Sequence, residues 1–152
     1  QKNWTYILFP VLKTADLISF IPLGNHVCPP IVAPIPLKGM ATKIFIDSKP
    51  VCIKGDELPA FLKSPLPYIA PPYVIPGMGV LDVKVPPTHL SKIIKINGTA
   101  ALIMAGPFEA KFNVSVPAMQ PPPGPAPPIP DTSMTKKFMV NFIPIGLSMI
   151  SM

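Results

Sequence analysis

The side chains best suited to hold a metal or attack a substrate are few: His26, Cys28, Cys52 and His89 are all the histidines and cysteines in the chain. Two imidazoles and two thiols make up the donor set of a closed tetrahedral zinc site, and iron takes similar donors. Only His26-Val27-Cys28 is local, and the overall spacing is not that of a zinc finger, so the fold would have to gather the rest. One zinc (or iron) ion at His26, Cys28, Cys52 and His89 is the metal expectation. A plainer reading stands beside it. Cys52, between Val51 and Ile53, has the surroundings of a buried apolar thiol, and His89 in Pro-Pro-Thr-His those of a solvated loop residue. The two cysteines permit one disulfide at most, and spacing does not decide whether it forms.

Catalytic sets are scarce. No serine occupies a nucleophile-elbow pattern, no glycine-rich loop is built for phosphate, and seven carboxylates give few acid/base pairs. Asp56-Glu57 follows a strand end, as a solvated turn does. Cys52 with His89, or Cys28 with His26, are the remaining nucleophile pairs. The expectation is a protein that is not an enzyme.

The elements that must position these residues are set by composition. The chain has 152 residues, enough for one domain (1–152) with a small core. Proline accounts for 25 of them, while 49% of the residues are hydrophobic and 13% charged. Proline removes a backbone donor and fixes φ, which disfavours long helices. The apolar content excludes a disordered chain. The expectation is therefore an all-β fold of short strands and hairpins joined by proline-rich connections. Mean hydropathy is +0.46, high enough that apolar surface should be covered by a partner. The net charge of +6 comes entirely from lysine, scattered singly. Without the bidentate contacts of arginine, nucleic acid is not an expected partner. Trp4 to Leu23 is apolar but is broken by Lys13, Asp16, Pro10 and Pro22, so it is read neither as a membrane span nor as a signal peptide.

Along the chain, residues 1–23 read as an apolar lead-in with two short strands, and Gly24 to Pro36 as a turn-rich loop. Thr42 to Asp56 has a hairpin pattern turning at Asp47-Ser48-Lys49. Residues 57–79 are proline-rich, and Val80 to Val85 is a strand candidate. Lys92 to Gly106 forms a second hairpin around Asn97-Gly98, a strong short turn signal. Lys111 to Val116 alternates as a half-buried strand does. Residues 117–130 are polyproline-like and read as a stiff connector. Residues 131–152 form an apolar C-terminal docking segment, with a last strand through Phe138, Val140, Phe142 and Ile145.

The two hairpins align without a gap at an offset of 50: Ile44 with Ile94, Ile46 with Ile96, Asp47 with Asn97, Val51 with Ala101 and Ile53 with Ile103. A duplication packed as pseudo-symmetric faces is the natural reading of such a repeat.

Ile44-Phe-Ile-Asp-Ser-Lys-Pro-Val-Cys-Ile-Lys-Gly-Asp56 resembles the strand pair of PAAR-type spike-tip proteins, and Ile94 to Gly106 resembles a second copy. With the Gly24 to Gly39 loop, the resemblance covers about residues 20–120. It departs at Ser48, where glycine is usual, and at Ala105-Gly106, where Gly-Asp is expected. The resemblance implies a compact cone or prism of short strands with pseudo-threefold symmetry. It implies one copy seated on a trimeric VgrG-like β-helical spike of a contractile injection system, helping to pierce a target membrane touched only transiently. It also implies a metal near the apex, cargo or an effector as a further partner, and assembly in the bacterial cytoplasm before incorporation into a particle. The alternative function is a secreted or effector-adaptor β-domain that binds protein partners through its proline-rich segment.

Overall fold

A computed structural model describes residues 11–41, 44–46, 48–96, 98–144 and 150–151. Residues 1–10 of the expected lead-in, Asp47 and Asn97 of the expected turns, and Ile145 of the expected last strand lie outside the described residues. The strands are β1 (Leu17–Pro22), β2 (Ile35–Pro36), β3 (Phe45–Ile46), β4 (Lys49–Pro50), β5 (Leu66–Ala70), β6 (Tyr73–Asp82), β7 (Leu90–Ile96), β8 (Thr99–Leu102), β9 (Phe108–Val116), β10 (Met119–Gln120), β11 (Ile129–Pro130), β12 (Thr135–Ile143) and β13 (Ile150–Ser151). Among the described residues the only helical pieces are single 3-10 turns at Pro29–Ile31, Ala60–Leu62 and Pro87–His89. The all-β expectation therefore holds.

Eight strands form one antiparallel sheet in the order β11-β10-β6-β9-β12-β1-β2, with β5 also paired to β6, and the sheet curls into half a barrel. The long strands alternate as a half-buried sheet should. In β9, Phe108, Ala110, Phe112 and Val114 point inward; in β12, Phe138, Val140 and Phe142 do so. Their rings meet edge to face: Tyr68 and Phe112 have centroids 5.5 Å apart, Phe112 and Phe138 6.3 Å, and Phe20 and Phe138 6.3 Å. Each buried phenylalanine contributes about 2 kcal/mol by removal from water, with a smaller gain from ring geometry. Gly79 is part of this packing, because a Cβ there would collide with the Phe112 ring.

Two segments differ from the sequence reading. Residues 57–79 are more than a proline-rich loop, since they supply β5 and most of β6. Pro67 is tolerated because β5 pairs within the sheet with β6 alone, and the bridge on its other side, from Ile69 to Val27, does not use residue 67. Residues 131–144 are not a peripheral docking segment. β12 pairs with β9 on one side and β1 on the other, because its alternate residues Phe138, Val140 and Phe142 fill the core. Within the polyproline-like stretch 117–130, β10 and β11 pair with each other around residues 121–128.

Both expected hairpins form. β3 pairs with β4 and β7 with β8, in the same register relative to their turns. Ser48 has φ of +64° and Gly98 +82°. The left-handed conformation is why glycine suits this turn position and why Ser48 is an unusual occupant. β13 pairs with the outer side of β3.

Candidate functional site

Three separate segments of extended chain converge between the main sheet and the hairpins. Leu12 N–H donates to Leu102 O (2.9 Å), Leu102 N–H to Cys52 O (2.9 Å), and Cys52 N–H to Leu12 O (2.8 Å). The three bonds close a cycle. Its flanks repeat the same rule, pairing Val11 with Ile103, Val51 with Lys13 and Ala101 with Ile53. In each pair, the residue before one centre meets the residue after another. This is a pseudo-threefold axis within one chain, and it leaves no strand edge open at the ring.

Side chains leave the ring in two layers. Leu12, Cys52 and Leu102 face the main core, all fully buried. Val11, Val51 and Ala101 face a second cluster with Ala41, Ile44 and Ile96, beneath the hairpins. Each layer holds two branched side chains and one small one, as suits three residues converging on one axis at crystal-like density. Gly39 lets the neighbouring chain pass close, because a Cβ there would strike the carbonyl oxygens of Pro50 and Val51.

The turn after each centre is also repeated. Lys13 N–H donates to Asp16 Oδ2 (3.0 Å), and Asp16 N–H returns to Lys13 O (3.1 Å). Forty residues on, Ile53 N–H donates to Asp56 Oδ2 and Asp56 N–H to Ile53 O, both at 2.9 Å. Ala15 and Gly55, at matching positions, have φ of +79° and +107°. In the third copy Gly106 stands where the carboxylate would be, and His89 takes over. Ile103 N–H donates to His89 O (2.8 Å), and the His89 ring joins Gly106 O through Nε2 at 2.5 Å. Since a carbonyl only accepts, Nε2 carries the proton.

The first copy was missed in the sequence, although a signal was present. Pro10-Val-Leu-Lys-Thr-Ala-Asp16 aligns with Pro50-Val-Cys-Ile-Lys-Gly-Asp56 at an offset of 40. Searching at the single offset of 50 hides it.

The four candidate metal ligands are not gathered. Among the described residues, no three His, Cys, Asp or Glu side chains form a cluster able to hold a metal. His26 donates from Nε2 to Lys137 O at 2.8 Å and lies edge-on to Phe138. His89 is buried, not solvated, between Phe108 and Phe142. Cys28 and Cys52 are both buried free thiols, with no disulfide between them. Burial pushes Cys28 up to about 11. Burial, with the nearby Asp56 and Asp16 carboxylates, pushes Cys52 up to about 12. Both stay protonated near neutrality, the wrong state for a nucleophile. As arranged, His26, Cys28, Cys52 and His89 do not fit one tetrahedral site, because each is already committed to packing or to a backbone carbonyl.

No helix among the described residues is long and apolar enough to cross a membrane. No curated protein matches the chain. A family model described as contractile injection system spike tip protein matches residues 8–149, taking in all three ring segments and β12 as well as the region of the hairpins. On that match, the chain belongs to the family of contractile injection system spike tip proteins.

Proposed function

We propose that one copy of this chain caps one trimeric VgrG-like spike, docking through the end that carries the hairpins. The observation that carries the reading is the closed cycle of Leu12, Cys52 and Leu102. A single chain meets a threefold partner on equal terms only if it presents three similar faces around one axis, and this cycle supplies such an axis. Distal to it, the broad antiparallel sheet and its proline-rich connections make a stiff body that passes force to a membrane when the machine contracts. No chemistry by the tip is needed. Assembly before release, inside the producing cell, follows from docking on a spike built there.

The test is co-purification with the spike trimer of the same system, followed by native mass measurement and reconstruction. One tip per three spike chains, with the hairpin end at the junction, is the expected result. Three tips per trimer, or contact through β11 at the far sheet edge, would overturn the proposal.

A further inference from the structure

Beside the main sheet, away from the ring, lies a cleft of about 420 Å³. That is within the size range of clefts that hold small ligands, about 300–1,000 Å³. His26, Lys136 and Asp131 are in its floor and nearly fully buried, while Lys137 stands exposed at the rim. Leu23, Ala70, Pro71 and Tyr73 give it an apolar wall. The floor is built, not incidental. Lys136 Nζ lies 2.7 Å from Asp131 Oδ2, which also accepts from Tyr68 O–H at 3.2 Å, while Ser133 N–H donates to Asp131 Oδ1 at 3.0 Å. Asp131 thus accepts three hydrogen bonds, whereas the Lys136 ammonium, 5.9 Å from the Tyr68 ring centroid, has donors beyond the one it gives to Asp131.

His26 adds the complementary group. Its Nε2–H is spent on Lys137 O, which leaves Nδ1 as a lone-pair acceptor. Nδ1 lies directly under Gly24, where a Cβ would come within 3.1 Å of it. Burial lowers the affinity of this imidazole for a second proton, outweighing its bond to the Lys137 carbonyl, so the acceptor persists at neutral pH. The cleft therefore offers cationic donors, one neutral acceptor and an apolar wall side by side. A bare oxyanion would meet the Nδ1 lone pair unfavourably. The ligand must join an anionic acceptor to an adjacent N–H or O–H donor and an apolar group.

We propose that this cleft binds the free C-terminus of an extended protein segment. Its carboxylate lies toward Lys136 and Lys137, its last amide N–H toward His26 Nδ1, and its last side chain against Leu23, Ala70 and Tyr73. A C-terminal residue carries carboxylate, amide and side chain together, the combination of groups that the cleft lining complements. The proposal does not depend on how the ring docks.

The probe is the peptide acetyl-Gly-Ala-Leu, compared as free acid and as C-terminal amide, titrated into the full chain with amide chemical shifts read by NMR. The free acid is expected to shift residues 23–26, 70–73 and 131–137, with a Kd of about 1 mM or tighter, and the amide to bind at least about tenfold more weakly. Gly24→Ala places a methyl over Nδ1 and should weaken the free acid about tenfold with an otherwise unchanged spectrum. Lys137→Gln, which alters only the rim charge, should weaken it several-fold and spare the residual binding of the amide. No shifts up to about 5 mM, equal binding of acid and amide, indifference to both variants, or glucuronate or acetate binding as tightly as the peptide at the same residues would each overturn the proposal.

Discussion

The turn carboxylates Asp16 and Asp56 occupy equivalent positions and make the same backbone bonds, but their surroundings differ enough to separate two energetic effects. Asp16 is fully buried, and its Oδ1 lies 2.7 Å from the Nζ of Lys13, itself 2% exposed. Asp56 is half-buried, and its Oδ2 accepts from the N–H groups of Ile53 (2.9 Å) and Met40 (3.1 Å). Asparagine keeps an acceptor oxygen at either site and removes the charge. At Asp56 the loss should stay below about 1 kcal/mol, since neutral and charged acceptors differ modestly where water has access. At Asp16 the substitution leaves a buried ammonium without its carboxylate, at a cost of about 3–5 kcal/mol. For a chain of this length that is about 6–20 °C in Tm against less than about 4 °C. Equilibrium urea unfolding gives both free energies directly. Adding Lys13→Met to Asp16→Asn should recover much of the loss, because removing both charges of a buried pair costs less than removing one. If Asp16→Asn and Asp56→Asn differed by less than about 0.5 kcal/mol, or if Lys13→Met made matters worse, the buried-pair reasoning would be wrong.

Four further outcomes follow from the same geometry. His89→Ala removes the donor to Gly106 O and a ring packed on Phe108 and Phe142, so unfolding should become easier by about 3 kcal/mol, with His89→Phe losing roughly half of that. Tyr68→Phe deletes the hydroxyl that accepts from Ala118 N–H and donates to Asp131, costing about 1–2 kcal/mol in the same assay. Elemental analysis of the purified protein should find zinc and iron far below one ion per chain, and a stoichiometric ion at His26, Cys28, Cys52 and His89 would contradict the arrangement described. For pH, burial holds His26 below its ordinary 6.5, so the unfolded chain binds the extra proton first. Stability should therefore fall as pH drops below about 6.5, and His26→Gln should flatten that slope in unfolding curves taken between about pH 7 and 5.

The parts of the fold legible in the sequence are those governed by local chemistry. The hairpin around Ser48 and its partner around Gly98 were readable because a tight turn needs a left-handed residue between β-rich runs. The alternation in β9 was readable because one face is buried. β12 was expected as a strand, but its central place in the sheet was not legible, for the opposite reason. Phe138, Val140 and Phe142 announce a buried face, but nothing local says whether the cover is this chain's own sheet or another protein. β5 and β6 were hidden by Pro67 and Pro76, whose cost depends on which side of the strand lacks a partner, and that is a tertiary fact. The metal expectation rested on composition, and among the described residues no three side chains of its donor types cluster. Four soft donors satisfy a composition rule, yet Cys52 is the small member of a ring layer completed by Leu12 and Leu102.

That ring also explains how one sequence can be threefold in shape while poorly repetitive in letters. Its bonds run entirely between backbone N–H and C=O groups, which every residue other than proline supplies. The side chains must only satisfy two layers in sum, so Leu-Cys-Leu and Val-Val-Ala serve without matching position by position. The turns are less tolerant, because a backbone N–H near the core needs an acceptor. Two copies meet this with Asp16 and Asp56, whereas the third borrows the carbonyl of His89, a residue that lies before its hairpin. A Gly106→Asp variant tests whether the borrowing is forced. Gly106 has φ of +135°, a conformation that side chains strain, and Ile103 N–H is already satisfied, so a residue-106 carboxylate would add competition with the His89 carbonyl to that strain and disturb the His89 ring. The expected result is destabilisation of about 1–3 kcal/mol in the otherwise native protein, with smaller harm when His89→Ala is present. A Gly106→Asp chain more stable than the native one would mean that the threefold turn is the preferred state at all three positions and that His89 merely fills a gap.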